Sequence, residues 1–232
     1  MPEREQPHAV LIDLDGTLMD TAPDLAEAAN RMRSDFGLPP LPAERIAQFV
    51  GKGVDVLVHR SLADRVDGEV EPERFASARA AFGRHYHAIN GEASVVFEGV
   101  PQALARLRGR GWHLACVTNK AREFTLPLLE RAQLAALLDA VVCGDEVQHG
   151  KPHPDLLLEA CRRLGVAPTQ AVMVGDSAND VLAARAAGVP VVLVESGYNE
   201  GEPLSTFAGQ PGVDAIVPGL IDAARWLERA TH

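Results

Sequence analysis

Residues 10–18 have the sequence Val-Leu-Ile-Asp-Leu-Asp-Gly-Thr-Leu, a short apolar run that ends in two aspartates two positions apart. A run that is apolar on both faces is typical of a strand buried in a parallel sheet, and Gly16 would end it. In such a strand, Asp13 and Asp15 lie on the same side of the pleat. Neighbouring carboxylates repel unless a cation lies between them, and their oxygens suit Mg²⁺. The stretch therefore predicts a buried strand leading into a cation site, although a lone motif of this kind is more often only an acidic turn.

Composition limits the classes of protein that fit. The chain has 232 residues, 47% of them hydrophobic and 23% charged, which is enough for one large domain or two small ones with an ordinary core. The net charge of −10 disfavours nucleic acid and anionic membranes as partners. The three cysteines have no metal-type spacing, so we expect them to be small buried residues in a reducing compartment, the cytoplasm. The first residues lack an apolar segment, so we expect no signal peptide, and no run is long enough to span a bilayer.

The pattern of apolar residues changes along the chain. From residue 20 to residue 90 the spacing is helical throughout, with Pro and Gly as breakers, and helices are predicted at 20–36, 43–50, 54–62 and 72–90. After Gly91, strands alternate with helices, and strands are predicted at 113–117, 139–143, 171–174, 190–194 and 215–217. Alternation of this kind predicts a parallel sheet with right-handed crossovers.

The predicted fold class is therefore α/β, with a Rossmann-like parallel sheet as the core and an inserted all-helical cap domain. The predicted division is core for residues 1–18, cap for residues 19–93 and core again for residues 94–232. Because the helical segment follows the first strand directly, we expect it to lie over the end of the sheet as a lid.

Polar clusters follow four of the predicted strands: DLDGT at 13–17, TNK at 118–120, GDE at 144–146 and GDSAND at 175–180. In open α/β sheets, ligands bind beyond the carboxyl ends of the strands, so these clusters would gather in one crevice. The chain has three lysines, and each is predicted to lie on a loop directed at that crevice: Lys52, Lys120 and Lys151.

Four segments resemble, in order and in context, the motifs of the haloacid-dehalogenase (HAD) superfamily of phosphohydrolases. They are DLDGT at 13–17, VTN at 117–119, Lys151 with the KPHPD sequence that it begins, and GDSAND at 175–180. The resemblance covers essentially the whole chain, and the helical insertion is similar to the family's first type of cap. It implies a HAD-like fold and Mg²⁺-dependent hydrolysis of phosphate monoesters.

The resemblance also implies roles for the acidic residues. Asp13 would attack phosphorus and form an aspartyl-phosphate. Asp15 would protonate the leaving alkoxide and then act as base on the water that cleaves the intermediate. Mg²⁺ would be held by a carboxylate oxygen of Asp13, the backbone carbonyl of Asp15, and Asp176.

Further residues would support the transfer. By the same resemblance, Thr118, Asn119 and Lys151 would hold the phosphoryl oxygens, and Lys151 would also shield the repelling carboxylates. For Asp180 three interpretations stay open. It would ligate the metal through water, orient Lys151, or simply favour the start of a helix.

Asp15 also narrows the choice within the family. The dehalogenases and phosphonate hydrolases of the family lack this second acid, whereas the sugar-phosphate mutases share all four motifs. Three further segments are similar to the branch of the family that hydrolyses 2-phosphoglycolate to glycolate and phosphate: DTAPDL at 20–25, VGKGVDVLV at 50–58 and GYNEGEP at 197–203. The implied partner is a small anionic phosphate ester, acted on by a monomer or a homodimer.

Lys52 and the substrate leave alternatives open. Lys52 lies in a Gly-Lys-Gly loop of the predicted cap, where it would either pair with the carboxylate of 2-phosphoglycolate or remain solvated. The alternative substrates are a sugar phosphate, an amino-sugar phosphate or pyrophosphate. A mutase and a metal-binding regulatory protein without turnover are the alternative classes.

Overall fold

The computed structural model describes residues 8–230, which form an α/β core with a helical segment inserted after the first strand. Six strands make one sheet in the order β5-β4-β1-β6-β7-β8, and every neighbouring pair in it is parallel. The strands are β1 (Ala9–Ile12), β4 (His113–Thr118), β5 (Ala140–Cys143), β6 (Ala171–Gly175), β7 (Val191–Val194) and β8 (Val213–Val217). The predicted α/β class with a parallel sheet is confirmed.

The first strand lies at the centre of the sheet, between β4 and β6. Its alternate residues face two different apolar layers, Val10 and Ile12 on one side and Ala9 and Leu11 on the other. All four are fully buried, which is why the strand is apolar without alternation. Burial of each large side chain stabilises the fold by roughly 1.5–3 kcal/mol.

Helices cover both faces of the sheet. The first layer contains α5 (Val100–Gly109) and α9 (Leu220–Ala230), and the second contains α7 (Asp155–Leu164) and α8 (Ala178–Ala187). A further helix, α6 (Arg122–Arg131), lies beside β5 and contributes Leu128 and Leu129 to the first layer. Among the described residues, no helix has both the length and the apolar character that crossing a membrane would need.

The inserted segment consists of four helices: α1 (Ala22–Asp35), α2 (Ala43–Ala47), α3 (Val54–Ala63) and α4 (Pro72–Ile89). It has an apolar cluster of its own, in which Met32, Phe49, Phe82 and Tyr86 are fully buried. Phe124 of α6 belongs to the same cluster, so the core supplies part of the surface on which these helices pack.

The prediction of an entirely helical segment from residue 20 is wrong at its boundary. Met19–Asp20 (β2) pairs antiparallel with Val95–Val96 (β3), so two short strands connect the insertion to the core. The first helix consequently begins at Ala22, whose backbone N–H donates to the Asp20 carboxylate over 3.2 Å. A local helical pattern cannot show this pairing, because the two strands lie far apart in the sequence.

The Asp24 side chain joins the beginning of the inserted segment to its end. Its buried carboxylate accepts hydrogen bonds from the backbone N–H groups of Gly91, Ala93 and Ser94, each over 2.9 Å, and one from the Ser94 hydroxyl over 2.5 Å. The beginning of α1 is thereby fixed to the segment that returns from α4 to the core. Sequence reasoning gave Asp24 no role.

Candidate active site

A narrow cavity lies between the carboxyl edge of the sheet and the helical segment. On the core side, its wall consists of residues that follow β1 and of the end of β4 with its loop: Asp13, Asp15, Thr118, Asn119 and Lys120. On the other side, the wall is largely apolar: Leu25, Val50, Gly51, Gly53, Val54 and Leu57. The cavity has a volume of about 20 Å³, which is space for about one water molecule.

A cluster of buried carboxylates adjoins this cavity. Oxygens of Asp13, Asp176 and Asp180 all lie within 4.8 Å of one another. Burial raises the pKa of Asp13 well above its ordinary range, although Lys151 opposes the shift. Burial, followed by the charge of Asp180, raises the pKa of Asp176 to about 7. Burial and the neighbouring acids thus disfavour the charged forms of Asp13 and Asp176, a condition that a bound divalent cation relieves.

Hard oxygen ligands at this spacing fit Mg²⁺. Of the predicted ligands, Asp13 and Asp176 lie in the cluster, and Asp180 joins them. The side chain of Asp15 points elsewhere, to Lys120, so the prediction for Asp15 rests on its backbone carbonyl alone.

The orientation of Asp176 is fixed from both sides. Its carboxylate accepts a hydrogen bond from the Thr17 hydroxyl over 3.0 Å and one from the backbone N–H of Tyr198 over 2.9 Å. Two glycines make room for it, because a Cβ atom would lie 2.5 Å from its Oδ2 at Gly16 and 2.0 Å at Gly197. Gly16 also has a φ of +90°, which an L side chain rarely adopts.

Lys151 lies in the middle of the cluster. Its ammonium nitrogen is 2.8 Å from Asp13 Oδ1, 2.7 Å from Asp180 Oδ1 and 3.1 Å from the carbonyl oxygen of Val117. Burial alone would lower the pKa of Lys151, but the two carboxylates raise it above its ordinary value. In this structure the lysine therefore shields the acids, and Asp180 is placed where it orients the lysine.

Asp180 also has a local role. Its second carboxylate oxygen accepts hydrogen bonds from the backbone N–H and the hydroxyl of Ser177, over 3.0 and 2.7 Å, at the start of α8. Two of the interpretations left open for this residue, orienting Lys151 and starting the helix, thus describe contacts that coexist. Its place in the acid cluster leaves metal ligation as a prediction.

Thr118 ends β4 at the cavity and Asn119 follows it, but the two side chains have different contacts. The Asn119 amide donates to the carbonyl oxygens of Gly51 and Lys151, both over 2.9 Å, and its oxygen accepts from the Lys151 backbone N–H over 2.7 Å. The side chain thus joins the cap loop to the Lys151 loop. A contact from Asn119 to phosphate would then come from its backbone N–H, while the buried Thr118 lies directly at the cavity.

Lys52 forms an ion pair with a residue of the core. Its ammonium group is 2.8 Å from Glu200 Oε1, and Arg60 Nη1 lies 3.0 Å from the same oxygen. Although burial alone would raise the pKa of Glu200, hydrogen bonds from the two cations hold it below its ordinary value. The neighbouring glycines line the cavity, but Lys52 is absent from the described residues that do so. The lysine is directed away because a core loop remote in sequence supplies its counterion.

Asp15 has two partners whose roles sequence reasoning did not identify. Lys120 places its ammonium nitrogen 2.8 Å from Asp15 Oδ1, and the Thr21 hydroxyl donates to the same oxygen over 2.5 Å. Lys120 is 4% exposed. The sequence signal for it is that one of the three lysines of the chain directly follows the strand-end residues Thr118 and Asn119. Anchoring one oxygen of Asp15 leaves its second oxygen to act at the cavity.

The parallel sheet, the helical insertion after its first strand and the acid cluster beyond its edge define a haloacid dehalogenase-like hydrolase. A family model with this description matches residues 10–194, and the chain belongs to the family. The resemblance drawn from the four motifs is thus confirmed.

Individual relatives are similar over nearly the whole chain. The phosphoglycolate phosphatase of Thiobacillus denitrificans is 44% identical over 222 residues, covering 96% of each chain. A plasmid-encoded phosphoglycolate phosphatase of Cupriavidus necator is 49% identical over 218 residues, covering 91% of this chain and 89% of that protein. The crystal structure of a predicted phosphoglycolate phosphatase from Haemophilus somnus has a TM-score of 0.87 at 30% identity, covering 96% and 98% of the two chains.

Proposed function

We propose that this protein is a Mg²⁺-dependent phosphomonoester hydrolase that converts 2-phosphoglycolate to glycolate and phosphate. The observation that supports it most is the position of Asp13, which belongs both to the buried acid cluster and to the wall of the cavity. One carboxylate can therefore contact a cation and a substrate at the same time. The choice of ester rests on the relatives of similar length that are named for it.

The reaction proceeds in two displacements at phosphorus. A carboxylate oxygen of Asp13 forms a bond to phosphorus while the bond from phosphorus to the ester oxygen breaks, and Asp15 gives its proton to that oxygen. Water then attacks phosphorus, the bond to Asp13 breaks, and Asp15 takes up the proton of the water. The net change is ester plus water to glycolate plus phosphate.

The remaining residues supply charge and position. Mg²⁺ bound by Asp13, Asp176 and the backbone carbonyl of Asp15 would neutralise negative charge between the nucleophile and the phosphate. Thr118 and Lys151, with the backbone at Asn119, hold the phosphoryl oxygens in our proposal. Asp180 keeps Lys151 in place, as the 2.7 Å ion pair between them indicates.

Residues 19–93 work as a cap in this proposal. The cavity of about 20 Å³ is too small for a phosphate ester, so entry requires the helical segment to move away from the sheet. Its return places Leu25, Val54 and Leu57 over the site and excludes water from the charged groups.

The three cysteines are free and buried, which suits the reducing conditions of the cytoplasm.

Phosphate release from a panel of esters tests the proposal. The panel contains 2-phosphoglycolate, hexose phosphates, amino-sugar phosphates, nucleotides and pyrophosphate, each with and without Mg²⁺, and Asp13→Asn serves as the control. A Mg²⁺-dependent preference for 2-phosphoglycolate that Asp13→Asn abolishes is the expected result. A preference for another ester would refute the choice of substrate, and no release by a folded protein would favour a mutase or a protein without turnover.

A further inference from the structure

The proposed substrate carries a second anionic group, and this inference rests on that proposed function. In 2-phosphoglycolate a carboxylate lies next to the phosphate ester, so both ends of the molecule are negative. The site already contains four carboxylates, those of Asp13, Asp15, Asp176 and Asp180. A carboxylate substrate binds there only if a cation is available that is not fully used by these acids.

Two of the three lysines do not meet this condition. Lys151 pairs with Asp13 and Asp180, and the proposed function assigns it to the phosphoryl oxygens, so it serves the phosphate end of the substrate and not the carboxylate. Lys52 is paired with Glu200 and does not belong to the described residues that line the cavity. The cap lysine, for which the sequence left pairing with the substrate carboxylate as one of two alternatives, instead joins the cap to a core loop.

Lys120 meets the condition. Among the described residues that line the cavity, it is the one with a cationic side chain. In the described part of the chain, its ion pair is with Asp15, and its ammonium nitrogen lies 5.2 Å from the centre of the Tyr86 ring. Such a cation–π contact stabilises the charge without using a hydrogen-bond acceptor on each ammonium hydrogen.

The position of Lys120 also matches the shape of the substrate. Asp15 would contact the ester oxygen during proton transfer, and Lys120 lies 2.8 Å from Asp15. In 2-phosphoglycolate, the ester oxygen is three bonds from the carboxylate oxygens, a span of about 3–4 Å at ordinary bond lengths. A cation beside Asp15 is therefore within reach of the carboxylate once the phosphate lies on Asp13.

We propose that Lys120 is the specificity-determining residue, and that it shares its ammonium group between Asp15 and the carboxylate of the substrate. The apolar cap wall opposite, which includes Val54 and Leu57, lowers the local dielectric and strengthens this pairing. A neutral tail of the same length gains nothing from the charge. The substrate class is thus a short phosphate ester whose alcohol part carries a carboxylate.

Two substrates and two lysine variants test the proposal. The substrates are 2-phosphoglycolate and 2-hydroxyethyl phosphate, which replaces the carboxylate by a neutral hydroxymethyl group. Lys120→Met should lower kcat/KM about 100-fold for the first and less than about 10-fold for the second. The matched control is Lys52→Met, which should change both values by the same factor, because its partner is Glu200.

Equal losses on both esters in Lys120→Met would overturn the proposal, since the lysine would then act only through Asp15. A loss selective for 2-phosphoglycolate in Lys52→Met would overturn it as well. If Lys120→Met is inactive on both esters, binding replaces turnover as the readout, and Kd is measured for both esters in Asp13→Asn and in the double variant Asp13→Asn with Lys120→Met. The proposal requires the double variant to lose affinity for 2-phosphoglycolate more than for 2-hydroxyethyl phosphate, and equal losses would overturn it. If Lys120→Met does not fold, Lys120→Gln takes its place. Wild-type protein that hydrolyses neither ester would instead refute the proposed function.

Discussion

Asp24→Asn is expected to lower the free energy of unfolding by about 2 kcal/mol, because it weakens the connection between the cap and the core. The carboxylate accepts four hydrogen bonds, three at Oδ2 and one at Oδ1. An asparagine that places its oxygen at the Oδ2 position keeps three acceptor contacts. Its NH₂ group then faces the N–H of Ala93, so one charge-assisted bond is lost and the other three become neutral ones.

The size of the effect follows from those bonds. Loss of one hydrogen bond to a charged group costs roughly 1.5–3 kcal/mol. Because the Ala93 N–H is only partly buried, it can form a hydrogen bond with water in the variant, and we therefore expect a cost near the lower end of this range. Asp24→Ala removes all four acceptor contacts and should cost about 4 kcal/mol, less than four separate bonds because such contributions are not additive.

Thermal unfolding measures the difference. For a chain of this length, about 2 kcal/mol corresponds to a fall in Tm of roughly 4–8 °C. The matched control is Asp67→Asn, an aspartate whose side chain is 78% exposed in a surface ion pair with Arg65 and whose replacement should change the free energy by less than about 1 kcal/mol. Equal Tm values for Asp24→Asn and Asp67→Asn would refute the reasoning that Asp24 fastens the cap connections.

Three further predictions concern the metal site and the cap. Because burial and Asp180 raise the pKa of Asp176 to about 7, Mg²⁺ affinity measured by calorimetry should rise from about pH 6 to pH 8. Without metal, the folded state binds the proton of the Asp176 carboxyl more tightly than the unfolded chain does, so the free energy of unfolding should fall as pH rises from about 4 to about 7. If neither Mg²⁺ affinity nor the free energy of unfolding changed with pH, Asp176 would not be the titrating metal ligand. Gly197→Ala should weaken Mg²⁺ binding at least about tenfold, because the new Cβ would lie 2.0 Å from Asp176 Oδ2. The control is Gly219→Ala, whose Cβ would have no atom within 4 Å, and this variant should bind Mg²⁺ as the wild type does. Glu200→Gln removes the counterion that Lys52 and Arg60 share, and it should speed proteolysis or hydrogen exchange in the cap several-fold. The control is Glu202→Gln, at an exposed position. Unchanged rates in Glu200→Gln, or the same change in both variants, would show that this contact does not hold the cap.

The sheet and the order of its elements could be predicted because they depend on local patterns. Fully apolar runs such as Val10–Leu11–Ile12 occur where both faces of a strand are covered, and the structure buries these residues in two separate layers. Strand-end motifs were correctly expected at one edge, because parallel strands present all their carboxyl ends there. Asp13, Asp15 and Thr118 were therefore found in the sequence before any distance was known.

The partners of the charged side chains could not be predicted in the same way. Lys52 pairs with Glu200, which lies 148 positions further along the chain, and Lys120 pairs with Asp15, 105 positions before it. The first pairing depends on where the cap loop meets the core, and the second on which strands are neighbours in the sheet, since Asp15 follows β1 and Lys120 follows β4. A lysine in a loop has the same local sequence signal whatever its counterion. The short β2–β3 ladder escaped prediction for the same reason, since its halves are joined only across the whole insertion.

The sequence by itself determined the α/β class, the family and the acids of the site, because periodicity, glycine stops and four ordered motifs are properties of short segments. Only the tertiary structure decided that Lys52 pairs with Glu200, that Asn119 holds the cap loop, and that Lys120 is the cationic side chain among the described residues that line the cavity. Charge pairing acts over a few ångströms in space, whatever the separation along the chain. The motifs therefore predict the acids of the site, whereas the partners of its lysines depend on which loops meet in the folded protein.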